Sequence, residues 1–156
     1  MAESMIYKSP IGNILIRANE AGVTELVFTE DADPSPRGSL GGHLNVCALQ
    51  LDEYFDGSRT SFDVPVDLKG SPFQISVWRA LMLIPYGSTW SYGKLAAQVG
   101  RPKASRAVGG ANHNNPVSII IPCHRVIGSN GKLIGYGGGL WRKEWLLKHE
   151  SGKMGS

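Results

Sequence analysis

Charge in this chain is divided at Leu68, and that division limits its possible folds more than any single motif does. Residues 1–68 hold 4 Lys or Arg against 11 Asp or Glu, a net of −7, whereas residues 69–156 hold 12 against 2, a net of +10. So sharp a change predicts two units, 1–68 and 69–156, joined near Lys69-Gly70. A basic unit of this kind suits a polyanion, because Lys and Arg beside phosphates release counterions and give affinity independent of sequence. A merely solubilising face is the blander alternative. The acidic half argues against it, since solubility there needs no basic residues.

With 156 residues, 42% of them hydrophobic, the chain can bury a core in each unit. No apolar run approaches the roughly 20 residues that span a bilayer, and Met1 to Lys8 lack the stretch of a signal peptide. The expectation is a soluble, cytoplasmic monomer, nucleoid-associated or nuclear according to the cell, with no membrane partner. Cys47 and Cys123 are the two cysteines, and without a Cys-x-x-Cys pair they predict neither a disulfide framework nor a thiolate zinc site.

The acidic half reads as α/β. Met5 to Tyr7 and Ile14 to Ile16 flank the turn-rich Ser9-Pro10-Ile11-Gly12-Asn13, which predicts a hairpin, and Val23 to Phe28 offers a third strand. Asp31 to Gly42 reads as a loop. Leu44, Ala48, Leu51 and Phe55 then recur at helical spacing up to Gly57, with Cys47 as packing inside that helix. Phe62 to Leu68 is predicted to return as a strand.

In the basic half, Ser71, Pro72 and Gln74 make a capping-box helix start. The helix buries Phe73, Val77, Trp78 and Leu81 and ends at Pro85-Tyr86-Gly87. Ser91 to Gly100 is a short helix closed by glycine, Arg101-Pro102 a turn, and Lys103 to Ala111 a second helix; two short helices across such a turn suggest a helix-turn-helix. The second helix is an odd reader of bases, which need long polar side chains. Along Ala104-Ser105-Arg106-Ala107-Val108-Gly109-Gly110 only Arg106 has reach. Its small residues suit close approach to phosphate with one arginine projecting into the duplex; tight helix packing through Ala107, Val108 and Ala111 is the simpler reading of the rest. The segment Ser151 to Ser156 reads as a mobile tail.

Chemistry concentrates at Ser118-Ile119-Ile120-Ile121-Pro122-Cys123-His124-Arg125-Val126. Ile119 to Ile121 have the composition of a buried strand, and Pro122 stops the ladder by removing a donor. The chain then presents a thiol beside two potential cations. Free cysteine is only a few per cent thiolate at neutral pH, and a neighbouring His or Arg lowers its pKa. A cysteine in an apolar stretch is more often buried and inert; the basic setting and the flanking motifs favour the reactive reading.

Those motifs carry a resemblance. Pro122 to Val126, with Tyr86-Gly87, Ser91-Tyr92, Arg106 to Gly110, Asn115-Pro116, Gly135 to Gly139 and Lys143 to Glu150, closely resembles the O6-alkylguanine-DNA alkyltransferases, the methylated-DNA–protein-cysteine methyltransferase family. The likeness covers nearly all of the second half, while the first half matches in length and general pattern. It implies an α+β fold: a small ribonuclease H-like α/β lobe, then a mostly helical, winged-helix-like lobe with a helix-turn-helix. It further implies that Cys123 takes the alkyl group from O6 of guanine, with O4-alkylthymine as a further substrate, in double-stranded DNA, once per chain, without metal or organic cofactor. By the same resemblance His124 acts as base through a water, Glu150 orients His124, and Asn115 braces the turn carrying Cys123. Arg125 is structural, its guanidinium pairing with backbone carbonyls or an acid of the N-terminal lobe. The damaged nucleotide leaves the stack; Arg106 fills the space and Tyr92 crowds the adjacent phosphate, with Ala104, Ser105 and Gly109 on the DNA-facing helix. Tyr92, the carbonyl of Val126, Tyr136, the amide of Gly137, and Trp78 line the pocket.

The zinc site of some relatives needs several Cys and His residues, and here His43 and Cys47 are too few. Gly137 to Gly139 lacks the pattern of a phosphate loop and reads as a flexible pocket wall. Two rivals remain at this level. A cysteine hydrolase needs a second histidine, His113 or His149, brought to Cys123. A non-catalytic DNA-binding regulator fits the helix-turn-helix but leaves the cysteine unexplained.

Overall fold

The computed structural model describes residues 3–30, 33–35, 42–133 and 135–152. Most of the loop read over Asp31 to Gly42, and the last residues of the Ser151 to Ser156 tail, lie outside them. The chain separates into two compact units, Met1–Leu68 and Lys69–Ser156.

In the first unit β1 (Glu3–Ser9), β2 (Gly12–Ala18) and β3 (Val23–Thr29) form an antiparallel meander in the order β1-β2-β3. Ser9 pairs with Gly12, so Pro10 and Ile11 alone make the hairpin turn, and Gly12 has the positive φ of 116° that glycine accepts freely. Met5, Tyr7, Ile14, Ile16 and Ala18 alternate onto one buried face. Helix α1 (Gly42–Phe55) covers the sheet with Leu44, Cys47, Ala48, Leu51 and Tyr54. Cys47 is fully buried, and burial pushes its thiol up to about 12, which makes it an inert packing residue.

The return strand expected over Phe62 to Leu68 does not form. A single parallel bridge joins Val66 to Val23. Pro65 has no donor to give, and the Gln50 side chain takes the amides of Asp63 and Val64 that a ladder would have used.

The second unit starts with α2 (Pro72–Leu81), capped by Ser71 with Gln74 completing the capping box. It ends at Leu81, short of Pro85, because Met82, Leu83 and Ile84 bond three residues back and tighten the chain out of the helix. Strand β4 (Trp90–Ser91) leads into α3 (Tyr92–Gln98), whose first turn is capped by Ser91. Gly100 reverses the chain at φ 79°, and α4 (Ser105–His113) follows. Helices α2, α3 and α4 pack on one another. A 3-10 turn over Cys123–Arg125 runs into β5 (Val126–Ile127), which pairs parallel with β4, and α5 (Leu140–Ser151) packs against that turn.

Ile119 to Ile121 corrects the sequence reading: all three are buried, yet they form a turn, not a strand. The amide of Ile120 bonds Ser118 O and that of Ile121 bonds Val117 O, while Ile119 takes a φ of 72°. The β-branched composition records burial here rather than extension. Among the described residues no helix is long and apolar enough to cross a membrane.

Candidate active site

Cys123 stands on the first residue of the 3-10 turn with only 4% of its surface exposed. The turn before it is held by one side chain. Asn115 Oδ1 accepts the amide of Val117 at 3.0 Å, and its Nδ2 donates to Ile121 O at 2.7 Å. A β-branched residue in the left-handed region costs roughly 1–3 kcal/mol; these bonds and the burial of the three isoleucines hold Ile119 there.

Behind the thiol lies a closed ionic cluster. His124 is fully buried, and its Nε2 donates to Glu150 Oε2 at 2.7 Å. Arg125 grips the same carboxylate twice, Nε to Oε1 at 2.7 Å and Nη2 to Oε2 at 3.0 Å, and donates Nη1 to Ile84 O at 2.7 Å. Arg125 thus finds a backbone carbonyl, and the acid it pairs with is Glu150 of its own unit. Burial alone pushes the Glu150 carboxyl up; His124 and Arg125 outweigh it and hold the group far below the usual carboxylate range. Burial likewise pushes His124 down, against the pull of Glu150, so the imidazole is neutral. With its proton fixed on Nε2, the ring keeps Nδ1 as an acceptor, and Nδ1 is buried with no hydrogen-bond partner among the described residues.

The thiol itself departs from expectation. Burial pushes Cys123 above its ordinary value, and the groups that pull it back are Asn115, Lys143 and Ser118, not His124 or Arg125. The charge that favours the thiolate thus comes from Lys143 of α5 and not from the turn that carries the thiol. Sequence reasoning missed Lys143, which is completely buried on the first turn of that helix. A lysine at an apolar heptad-like position opposite exposed Glu144 and Lys148 was the available signal.

Other candidates fall around this centre. Tyr136 is buried, with its hydroxyl unpartnered among the described residues, and burial followed by the charge of Cys123 pushes it well above the ordinary tyrosine value. Tyr92 is half-buried at the start of α3, and burial is the first cause that pushes its hydroxyl above the ordinary tyrosine value, with the charge of Cys123 acting the same way. Gly109 of α4 lies against the Tyr92 ring. Gly137 is exposed beside His113 O, and Val126 is buried on β5. Trp78 is buried with its Nε1 donating to Ala111 O at 2.9 Å, which ties α2 to α4. Ala104 and Ser105 open α4 and Arg106 projects exposed from its first turn. Of the histidines a hydrolase would need, His113 is exposed at the end of α4 and His149 stacks on Trp145.

Comparison with known proteins agrees over the whole chain. Residues 4–68 match the family model of the 6-O-methylguanine DNA methyltransferase ribonuclease-like domain, and residues 72–152 that of its DNA binding domain. The methylated-DNA–protein-cysteine methyltransferase of Mycolicibacterium paratuberculosis is 48% identical, over 96% of this chain and 93% of its own. The crystal structure of Mycobacterium tuberculosis O6-methylguanine methyltransferase superposes with a TM-score of 0.87 at 44% identity, covering 100% of this chain and 96% of that one. The structure of Mycobacterium tuberculosis OGT in complex with DNA gives 0.85 at 46% identity, over 95% and 92%.

Proposed function

The chain belongs to the 6-O-methylguanine DNA methyltransferase family, and on that footing we propose that Cys123 is the residue that accepts the alkyl group in direct-reversal repair of DNA. The observation that carries this reading is the buried Glu150–His124 pair directly behind the thiol, with the acceptor Nδ1 left open. The thiol proton passes through a water to Nδ1, and the Glu150 carboxylate stabilises the imidazolium that forms. The sulfur then attacks the alkyl carbon. The S–C bond forms as the C–O6 bond breaks, the electron pair leaves on O6, and the imidazolium proton neutralises the guanine. The product is a thioether, a poor leaving group, so each chain acts once.

A guanine stacked in a duplex cannot reach a thiol that is 4% exposed. The nucleotide is extruded, and Arg106 takes its place in the stack while Ala104, Ser105 and Gly109 let α4 approach the backbone closely. Tyr92, Val126, Tyr136 and Gly137 line the pocket, and Trp78 fixes α4 beneath it. The substrate is double-stranded DNA carrying O6-alkylguanine, and the acting species is the monomer. Intact-mass spectrometry after incubation with an O6-methylguanine duplex tests the assignment. One methyl per chain, mapped to Cys123, is expected; an adduct elsewhere or turnover beyond one equivalent overturns it.

A further inference from the structure

Among the described residues three buried side-chain atoms have no hydrogen-bond partner: His124 Nδ1, the Tyr136 hydroxyl and Asn112 Oδ1. The first takes the proton in the scheme above, and Tyr136 stands in the pocket wall. Asn112 has no part in that scheme. Native proteins keep few buried polar atoms unpaired, because each costs the desolvation of its group, and each calls for a cause.

Position narrows the cause. Asn112 is 4% exposed on α4, and Gly109, Asn112 and His113 fall on one face of that helix, at i, i+3 and i+4. A Cβ on Gly109 would meet the Tyr92 ring at 3.7 Å, and one on Gly137 would meet His113 O at 3.7 Å, so this face runs between Tyr92 and the Tyr136-Gly137 wall. Its backbone is tied to the turn of the thiol as well. Asn112 O accepts the amide of Asn115 at 3.4 Å, Asn115 Nδ2 donates to Ile121 O at 2.7 Å, and Ile121 O also accepts the amide of Cys123 at 2.8 Å. On the Tyr92 side, Ser91 pairs with Ile127 of β5, the strand that leaves that turn.

We propose that Asn112 is a specificity-determining residue whose unpaired Oδ1 accepts a hydrogen bond from the exocyclic N2 amine of the extruded O6-alkylguanine. The inference rests on Cys123 being the alkyl acceptor. The chemistry of the base leaves one choice. Alkylation at O6 fixes the ring in the form without hydrogen on N1, so in DNA the N2 amine carries the only N–H donors of the base, while N1, N3, N7 and O6 only accept. An acceptor in this pocket pairs with that amine or stays unpaired. The amine has two hydrogens, so a bond to Asn112 leaves one for the Val126 carbonyl. O4-alkylthymine has no N–H at all, and a site built to pair a polar group rejects the analogue that lacks it.

The test removes the amine and the amide in turn. Single-turnover transfer, followed by mass spectrometry as methyl on Cys123, is timed on duplexes carrying O6-methylguanine or O6-methylhypoxanthine, which lacks only the N2 amine. The wild type is expected to favour the amine-bearing base by roughly tenfold, the worth of one hydrogen bond, and Asn112→Leu to bring the ratio near one. An undiminished ratio in Asn112→Leu overturns the proposal, because the amine is then read elsewhere, and so does a wild type indifferent to the amine. Each ratio is taken within one protein, so a general loss of activity cancels. Should Asn112→Leu not fold, the Cys123→Ser chain keeps Asn112 in place and is observed by NMR on each duplex. The Asn112 side-chain amide signals are expected to shift on O6-methylguanine far more than on O6-methylhypoxanthine, and equal shifts overturn the proposal. A methyl mapped elsewhere than Cys123 would strike the alkyl-acceptor reading instead.

Discussion

At Glu150 one carboxylate serves two masters, and the consequences of removing it separate chemistry from folding. Its two oxygens fix His124 in the Nε2–H tautomer and hold two nitrogens of the Arg125 guanidinium at the same time. Glu150→Gln keeps the shape but removes the charge that stabilises a forming imidazolium. Transfer is expected to slow on the order of 10²-fold or more, the usual worth of a positioned base, with DNA affinity nearly unchanged; equal losses in both would point to misfolding. Cys123→Ser is expected to bind alkylated DNA and transfer nothing, because a hydroxyl is not ionised at neutral pH. Transfer surviving in that variant, with Cys47 labelled, would move the acceptor to a thiol that burial holds at about 12. Arg106 is tested by comparing substrates. Arg106→Ala should lose repair of duplex DNA by roughly the few kcal/mol of nucleotide extrusion and keep its reaction with free O6-alkylguanine base. Parallel losses on both substrates would place Arg106 outside the extrusion step.

Elements were legible where local chemistry alone decides them. Ser71, Pro72 and Gln74 fix the start of α2 through bonds made within four residues, and Gly57 and Gly100 mark reversals because their φ values of 88° and 79° exclude most other residues. The site's chemistry was legible in the same way, since Cys123 and His124 are adjacent in sequence and need no fold to be brought together. Elements decided by distant partners were not. The turn at Ile119 depends on Asn115, and the absence of a strand after Phe62 depends on Gln50, which lies 13 residues before Asp63. The two-residue pairing of β4 with β5 joins segments 36 residues apart, Trp90 with Val126, and no local pattern signals it. Lys143 was missed for a related reason: composition makes every lysine look like surface, and its place on one helix face with Leu146 and Glu150 is the sole local sign of burial. Asn115→Ala is the test at this scale. It orphans Val117 N–H and Ile121 C=O in a buried turn that already carries the strained Ile119, so a loss of roughly 2–4 kcal/mol is expected in chemical denaturation. A change under about 0.5 kcal/mol would mean the isoleucines alone hold the turn.

For the molecule as a whole, the shifted groups define a window of stability and alkylation sets its sign at neutral pH. His124 and Glu150 are both held below their unfolded values, so the unfolded chain binds protons first as pH falls. Their stabilisation is full above about pH 6.5 and is lost below it, first through His124 and then, below about 4.3, through Glu150. Cys47 and Cys123 are held above theirs, so above about pH 8.5 the unfolded chain releases protons first and stability falls, while Lys143 at about 8 opposes that fall. Denaturation at pH 5, 7.5 and 9.5 should find the maximum at 7.5, and Cys47→Ala should flatten the alkaline limb; a limb of unchanged slope would remove Cys47 from the account. Methylation acts at the centre of this window. Cys123 is 4% exposed and is followed and preceded by buried Val126 and Pro122, with Tyr136 buried nearby. One added carbon in a filled site costs about 1–3 kcal/mol. The thioether also has no proton to give and no charge, so the buried His124 and Glu150 must rearrange around a neutral sulfur. None of these changes is offset by a new contact to solvent, so they add. At about 2–4 °C per kcal/mol for a chain of this size, the methylated protein, freed of DNA, is expected to melt several degrees below the unmodified form and to be cleaved faster by protease. An equal or higher midpoint would mean that the pocket holds the methyl without strain, and that loss of the thiolate relieves as much as it costs.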